Sequence, residues 1–404
     1  MLCRLYIYSL FIPLEIFTKL GPLRLELYRI LLVIVFLKLL HKKTNDKLHR
    51  ILVWFVLLSS FSLFINHDLS VAIPSGGILY LEVCVSYMIG ATYVKNITDH
   101  EKYFQILTNI YTLIAIPALI EFFTGFKIIH DLSEKITGNI QLAPNLYTTD
   151  YIRLGFTRTT AVFSHPILYG ISAVTIMPIV IAINENHKIR LTKSLIRLSG
   201  ILTALITSIT SAAIISLILQ QIFKKWYYVK DKIGSLKNII ITSVFLLMIV
   251  IQLGSNQGLI KFLAMGVTLD PGTAYYRMLQ WEFTSDDIAD NFFLGIGFHD
   301  FSHPDWFANS VDSYWLLNML QFGLFSQLAL IFFYIQILRK TFIETSLPEK
   351  FNLLIAYRVM LISIIISGLT VDFFDRMQPV LYFILGTSSW LFIEGRENEN
   401  KNTI

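Results

Sequence analysis

The feature that most constrains this chain is the recurrence of apolar stretches, at about 5–18, 25–40, 51–66, 77–94, 104–123, 161–183, 198–223, 238–254, 312–338, 352–369 and 378–394. Most approach the roughly 20 residues that carry a helix across the hydrocarbon core of a bilayer. Inside that core the backbone has no water to bond, so an apolar span must close its own hydrogen bonds as a helix. Only 15% of residues are charged and 54% are hydrophobic, with a mean hydropathy of +0.61, far from the balance of a soluble domain. The fold expected is an all-α polytopic membrane protein, a single integral membrane domain over 1–404. The first stretch, with Arg4 and Pro13, superficially resembles a leader peptide. No small-x-small cleavage site follows it, so it is read as a retained first span. Cys3 and Cys84 lie in or beside apolar segments without a CxxC pattern, and no disulfide or thiol chemistry is expected.

Loop charge sets the topology. Short basic loops lie at His41–Arg50, Asn184–Arg197, Lys224–Lys237 and Arg339–Lys350, and the positive-inside bias assigns all of them to the cytoplasm. The net charge of +5 resides largely in these loops, so it reports orientation and implies no nucleic-acid partner. One parity conflict follows, because the loops before and after 198–223 are both basic. The Thr207-Ser-Ile-Thr-Ser211 run offers hydroxyls that satisfy backbone groups freed at a break. The stretch is therefore read as two short or re-entrant helices meeting near Thr210. This gives about twelve membrane segments with both termini inside. Two large segments then face outward, 122–160 and 255–311, joined by the short loop Thr370–Gln378. Lys19 and Arg24 are mild exceptions to the charge rule.

Arg158, at the border of the stretch from Ala161, and Arg277, in the longer outer loop, fall on the same side. A guanidinium at the membrane border is costly to desolvate and favours an anionic partner, although a lone arginine also snorkels into headgroups. Two of them on one face suit a lipid-linked phosphate or diphosphate, whose paired oxygens match the fork of donors.

The motifs Arg158-x-x-Ala-x-Phe-Ser-His-Pro-x-x-x-Gly170, Arg277 before an acidic run, Phe293-Leu-Gly-Ile-Gly-Phe298, Asp312-Ser-Tyr-Trp-Leu316 and Leu320-Gln-Phe-Gly323 occur in order. Together they resemble the superfamily of O-antigen ligases and O-antigen polymerases. The resemblance implies a GT-C-like glycosyltransferase of the bacterial inner membrane with a periplasmic site. Its substrates would be a polyprenyl-diphosphate-linked oligosaccharide donor and acceptor, in contact with membrane lipid and with a possible chain-length regulator as partner. It further implies that Arg158 and Arg277 contact the donor diphosphate. Ligase members typically carry a histidine followed by Asn at the place of Asp312-Ser313. The departure favours a polysaccharide polymerase over the alternatives, an O-antigen ligase or protein O-oligosaccharyltransferase. The serine-arginine pair frequent in the family is absent, since Ala212 follows Ser211, so no role transfers there. A lipid-linked oligosaccharide flippase or transporter is a further reading. Transporters of this length usually show two similar halves and charges near the midplane.

In the reaction so implied, negative charge develops on the leaving diphosphate and fixed cations stabilise it without metal or cofactor. One base must accept the proton of the attacking hydroxyl. Asp312 is the leading candidate, against a competing role as a helix N-cap. His303, His299, Asp300, Glu121 and Asp372 are the other candidates. His165, His303 and Tyr276 are candidate substrate contacts. His165-Pro166 also suits a helix start, and Tyr275, Tyr276, Trp281 and Trp306 equally suit interfacial anchoring. His299 and His303 have the i, i+4 spacing of a helical zinc pair, but Pro304, Gly295 and Gly297 make the segment a turn, and no metal is expected. Asp286, Asp287 and Asp290 are read as a solvated face.

Overall fold

The computed structural model describes residues 1–20, 23–39, 46–139, 151–229 and 271–392, with a few isolated positions between 230 and 250. The expected span at 238–254 and parts of both outer loops lie outside the described residues. Among those described, six helices are long and apolar enough to cross a membrane: Lys47–Asn66, Leu69–Tyr93, Ile97–Thr124, Pro166–Asn186, Tyr314–Lys340 and Pro348–Ser367. In chain order, the helices are α1 (Leu2–Ser9), α2 (Leu27–Leu39), α3 (Lys47–Asn66), α4 (Leu69–Tyr93, with a π-turn at Leu81–Val85), α5 (Ile97–Thr124) and α6 (Ile128–Thr137). They continue as α7 (Pro166–Asn186), α8 (Leu191–Ser208), α9 (Ser211–Val229), α10 (Pro271–Asp290), α11 (Tyr314–Lys340), α12 (Pro348–Ser367) and α13 (Met377–Thr387). The sheet content is two small antiparallel pairs, β1 (Phe17–Leu20) with β2 (Leu23–Glu26) and β3 (Ile152–Arg153) with β4 (Phe156–Thr157).

The first stretch departs from expectation. Its helix is 8 residues long, about 12 Å at 1.5 Å per residue, and gives way to turns and the β1–β2 pair instead of running through 5–18. Pro13 explains this, since it lacks an N–H and biases the residue before it away from helical geometry.

The chain shuttles between two ends of the bundle. Arg197 and Lys224 bond Asn184 and Glu185 at the C-terminal end of α7, at 3.3 and 2.6 Å. Ser208 and Thr210 instead crowd Gly170 near its N-terminal end. Thus α8 runs antiparallel to α7 and α9 returns beside it. The break falls at Ile209, whose φ is +38°. The expected pair meeting near Thr210 is therefore present, but neither member is half-length. They have 18 and 19 residues, because each helix extends into the flanking basic loop, where lysine and arginine stems stay apolar while their heads reach polar surroundings. Asn186, Glu349 and Asn352 meet at that same basic end. At the opposite end, the hairpin's Glu26 pairs with Arg376 of the 370–376 loop, both side chains buried, at 2.7 Å.

Close helix approach needs small residues. A Cβ on Gly200 of α8 would lie 2.3 Å from the Thr112 backbone of α5. The helix α11 is broken at Gly323 (φ +73°, ψ −174°). Leu320 and Gln321 carbonyls freed there accept from Ile296 N and Gly297 N at 2.8 and 2.9 Å, and Leu324 N donates to Phe292 O at 2.9 Å. The Phe293–Phe298 motif and the Leu320–Gly323 motif are therefore two sides of one interlock. Its glycines are required because Gly323 approaches the Phe293 backbone with no room for a Cβ.

Candidate functional site

The site lies at the end of the bundle where α8 and α9 meet. Arg158 leaves the β3–β4 hairpin with its N–H bonded to Tyr151 O at 2.9 Å, and Thr159 N donates to Thr207 O at 3.0 Å. The next residues are held by Glu121 at the end of α5. Its carboxylate accepts from Thr160 N and Thr160 Oγ1, each at 2.9 Å, and from Ala161 N at 3.1 Å. Ala161 adopts a left-handed φ of +55°. With both oxygens so engaged and 2% exposure, Glu121 is a backbone clamp and not a free proton acceptor, which corrects its place among the candidate bases. His130 extends the network, bonding Thr160 Oγ1 at 3.3 Å and Glu15 at 2.8 Å.

Arg158 is buried, and its Nε donates to Ser208 O at 3.3 Å, at the C-terminus of α8. His165 caps α7, its Nδ1 accepting the Ile167 N–H at 3.1 Å. Burial, followed by the charges of Arg158, Arg153 and Arg277, pushes His165 down to about 3. The ring is therefore neutral. With Nδ1 occupied as an acceptor its proton sits on Nε2, which is left as a donor. Arg153 was not singled out in the sequence. It donates to Ile209 O and Thr273 Oγ1, both at 3.4 Å, tying the α8–α9 tip to the start of α10. Arg277 is 7% exposed, and its buried Nε makes no hydrogen bond among the described residues. Burial first, and then the neighbouring Arg153, work against its charge, while Asp312 supports it.

Asp312 approaches Arg277 Nε at 3.9 Å, an ion pair too long to be a hydrogen bond. Gln280, one turn along α10, places it by accepting the Asp312 N–H at 3.1 Å and donating to Ser310 O at 2.9 Å. The N-cap of α11 is Ser313, whose hydroxyl accepts from Leu316 N. The capping role weighed for Asp312 therefore belongs to its neighbour. Burial raises the Asp312 carboxyl above its ordinary range, with Arg277 opposing.

The other expected contacts lie apart from this cluster. Tyr276 stacks on Phe307 at 4.3 Å and its hydroxyl receives the Ala308 N–H at 3.0 Å, so it holds the 296–311 segment on α10. His303 packs on Phe301 at 4.8 Å and bonds Pro304 O at 2.9 Å. Asp300 accepts from Asn309. His299 stacks on His67 at 4.4 Å and bonds Asn66 O. Asp287, read as solvated, receives the Ser302 N–H at 2.6 Å.

Asp372 lies in the loop before α13. Burial, with a further push from the Asp312 charge, raises its carboxyl to about 7. It lines a cavity of about 310 Å³ between α3, α4, α11 and the 370–378 loop. The cluster thus combines three cations, a neutral imidazole donor and a carboxylate, which suits holding a multiply charged anion beside a proton acceptor. Set against models of known families and against curated protein sequences, the chain matches none.

Proposed function

We propose that this protein is a membrane glycosyltransferase that polymerises lipid-linked glycan repeats. The observation that carries the reading is that Arg158 and Arg153 hold the adjacent Ser208 and Ile209 carbonyls at the α8–α9 tip, while Arg153 also reaches Thr273 at the start of α10, the helix that carries Arg277 beside Asp312. Fixed guanidinium groups match the paired oxygens of a diphosphate and stabilise it as it departs. In this reading the donor is a glycan on polyprenyl diphosphate. The acceptor hydroxyl oxygen attacks the anomeric carbon, the bond from that carbon to the diphosphate oxygen breaks, and its electron pair leaves on the diphosphate. Asp312 takes the hydroxyl proton, and the anomeric centre inverts. No metal enters the scheme.

The topology that goes with it has about twelve crossings, a GT-C-like arrangement, both termini in the cytoplasm and the arginine cluster on the periplasmic side of a bacterial inner membrane. An acidic residue in place of the ligase histidine favours polymerisation over ligation. Deletion of the gene, followed by gel analysis of surface glycans, tests the proposal. Single capped repeats are expected. An uncapped core with accumulated lipid-linked polymer would assign a ligase instead, and repeat units trapped on the cytoplasmic side would assign a flippase.

A further inference from the structure

The cavity beside Asp372 lies apart from the arginines, and its largely apolar, ring-rich wall carries a polar edge. It lies where α11 is broken at Gly323, and Asn318 and Gln321 from the turn before that break line it. Asp372 enters from the 370–376 loop and Gln378 from the first turn of α13, and the rings of Tyr314 and Phe298 supply flat apolar faces. Amide and carboxylate groups between aromatic faces match a pyranose, which presents hydroxyls around its edge and C–H groups on its faces. An alkyl chain would offer the Gln321 and Gln378 amides no hydrogen-bond partner, at a cost. The volume of about 310 Å³ is at the lower end of ligand pockets, roughly 300–1,000 Å³. The position is also informative, because Tyr314 in the cavity wall lies two residues beyond Asp312, which reaches Arg277 at 3.9 Å.

We infer that this cavity is a saccharide-binding site that receives the terminal sugar of the acceptor, with Asp372 and Gln378 bonding its hydroxyls. The inference rests on the glycosyltransferase reading for the word acceptor, while saccharide binding itself is measurable without turnover. The experiment uses the full chain in lipid nanodiscs and a panel of methyl glycosides of common hexoses, deoxyhexoses and N-acetylhexosamines, read by saturation-transfer NMR. At least one glycoside is expected to gain saturation on its ring protons. Asp372→Asn and Gln378→Leu should each weaken it roughly tenfold, the loss of a hydrogen bond to a sugar hydroxyl. Asp286→Asn, on α10, should leave it unchanged. Retention of labelled polyprenyl diphosphate by each variant reports that the fold persists. No saturation from any glycoside, or equal saturation in all variants, overturns the site. Saccharide binding that depends on Asp372, found in a chain with no transfer activity, would sustain the site and sink the enzymatic reading alone.

Discussion

Replacing Asp312 by Asn separates a proton acceptor from a structural anion. The carboxylate lies 3.9 Å from Arg277 Nε and its side chain is 43% exposed. Two unit charges at that separation attract by about 4 kcal/mol at an effective dielectric of 20, before desolvation and entropy are counted. Solvent access reduces such pairs to about 0.2–1 kcal/mol in practice. Asn keeps the Asp312 N–H bond to Gln280, and Ser313 continues to cap α11. Stability should therefore fall by no more than about 1 kcal/mol, a roughly fivefold change in the folded ratio. Loss of a general base costs roughly 10²–10⁴ in rate, far more than unfolding on this scale can produce. The assay is polymerisation in proteoliposomes, run beside thermal melting and binding of labelled lipid-linked donor. Turnover should drop at least a hundredfold, with donor binding kept or strengthened as Arg277 loses its competing anion. Turnover within threefold of the parent would refute Asp312 as the base. Loss of donor binding in parallel with turnover would make it a structural anion.

Three other outcomes follow from the packing and charge. Glu121→Gln keeps the side chain's shape but replaces one acceptor oxygen of the Thr160–Ala161 clamp with a donor. It should cost about 2–3 kcal/mol, the penalty for a buried donor left unpaired, and lower glycan output through Arg158 while the chain still inserts, as measured by melting and polymer ladders. Gly200→Val, against 2.3 Å of clearance to the Thr112 backbone, should separate α8 from α5 and depress thermal stability by about 1–3 kcal/mol. Asp372, raised from 3.8 to about 7, stays neutral in the folded chain at pH values where the unfolded chain is ionised. Stability should therefore decline as pH rises from about 4 to about 7 and level off above it. Melting curves across that window should show the decline, and Asp372→Asn should flatten it.

The parts of this fold legible in sequence were those set by periodicity and charge. The break near Thr210 followed from two basic loops that one crossing could not place on the same side, and Ile209 turns there with α8 and α9 returning to the basic end. The length of those helices was underestimated because Lys193 and Arg197 marked a loop by composition while the backbone remained helical. At the site, Arg158, Arg277 and Asp312 were marked by motif and position; Asp312 lies 3.9 Å from Arg277, and Arg158 bonds Ser208 O at the α8–α9 tip. Arg153 escaped notice because it sits in a two-residue strand whose partner is set by the Leu154–Gly155 turn, with positive φ at both residues. The Leu-Gly pair between Arg153 and Phe156 was the available signal. Glu121 looked like a free carboxylate because nothing local reveals that the turn at Thr160–Ala161, 39 residues later, delivers its three donors. Tyr276 and His303 had the right chemistry in the right loop, and their orientation depends on Phe307, which no spacing rule foretells.

The central claim is that guanidinium groups at the α8–α9 tip and α10 grip one diphosphate. Its most direct measurement is equilibrium binding of polyprenyl diphosphate and polyprenyl monophosphate to the purified chain and to Arg153→Gln, Arg158→Gln and Arg277→Gln. The diphosphate should bind the parent at least tenfold more tightly than the monophosphate, and each substitution should erase most of that preference. Equal affinity for the two lipids, or a preference that survives all three substitutions, would contradict the account.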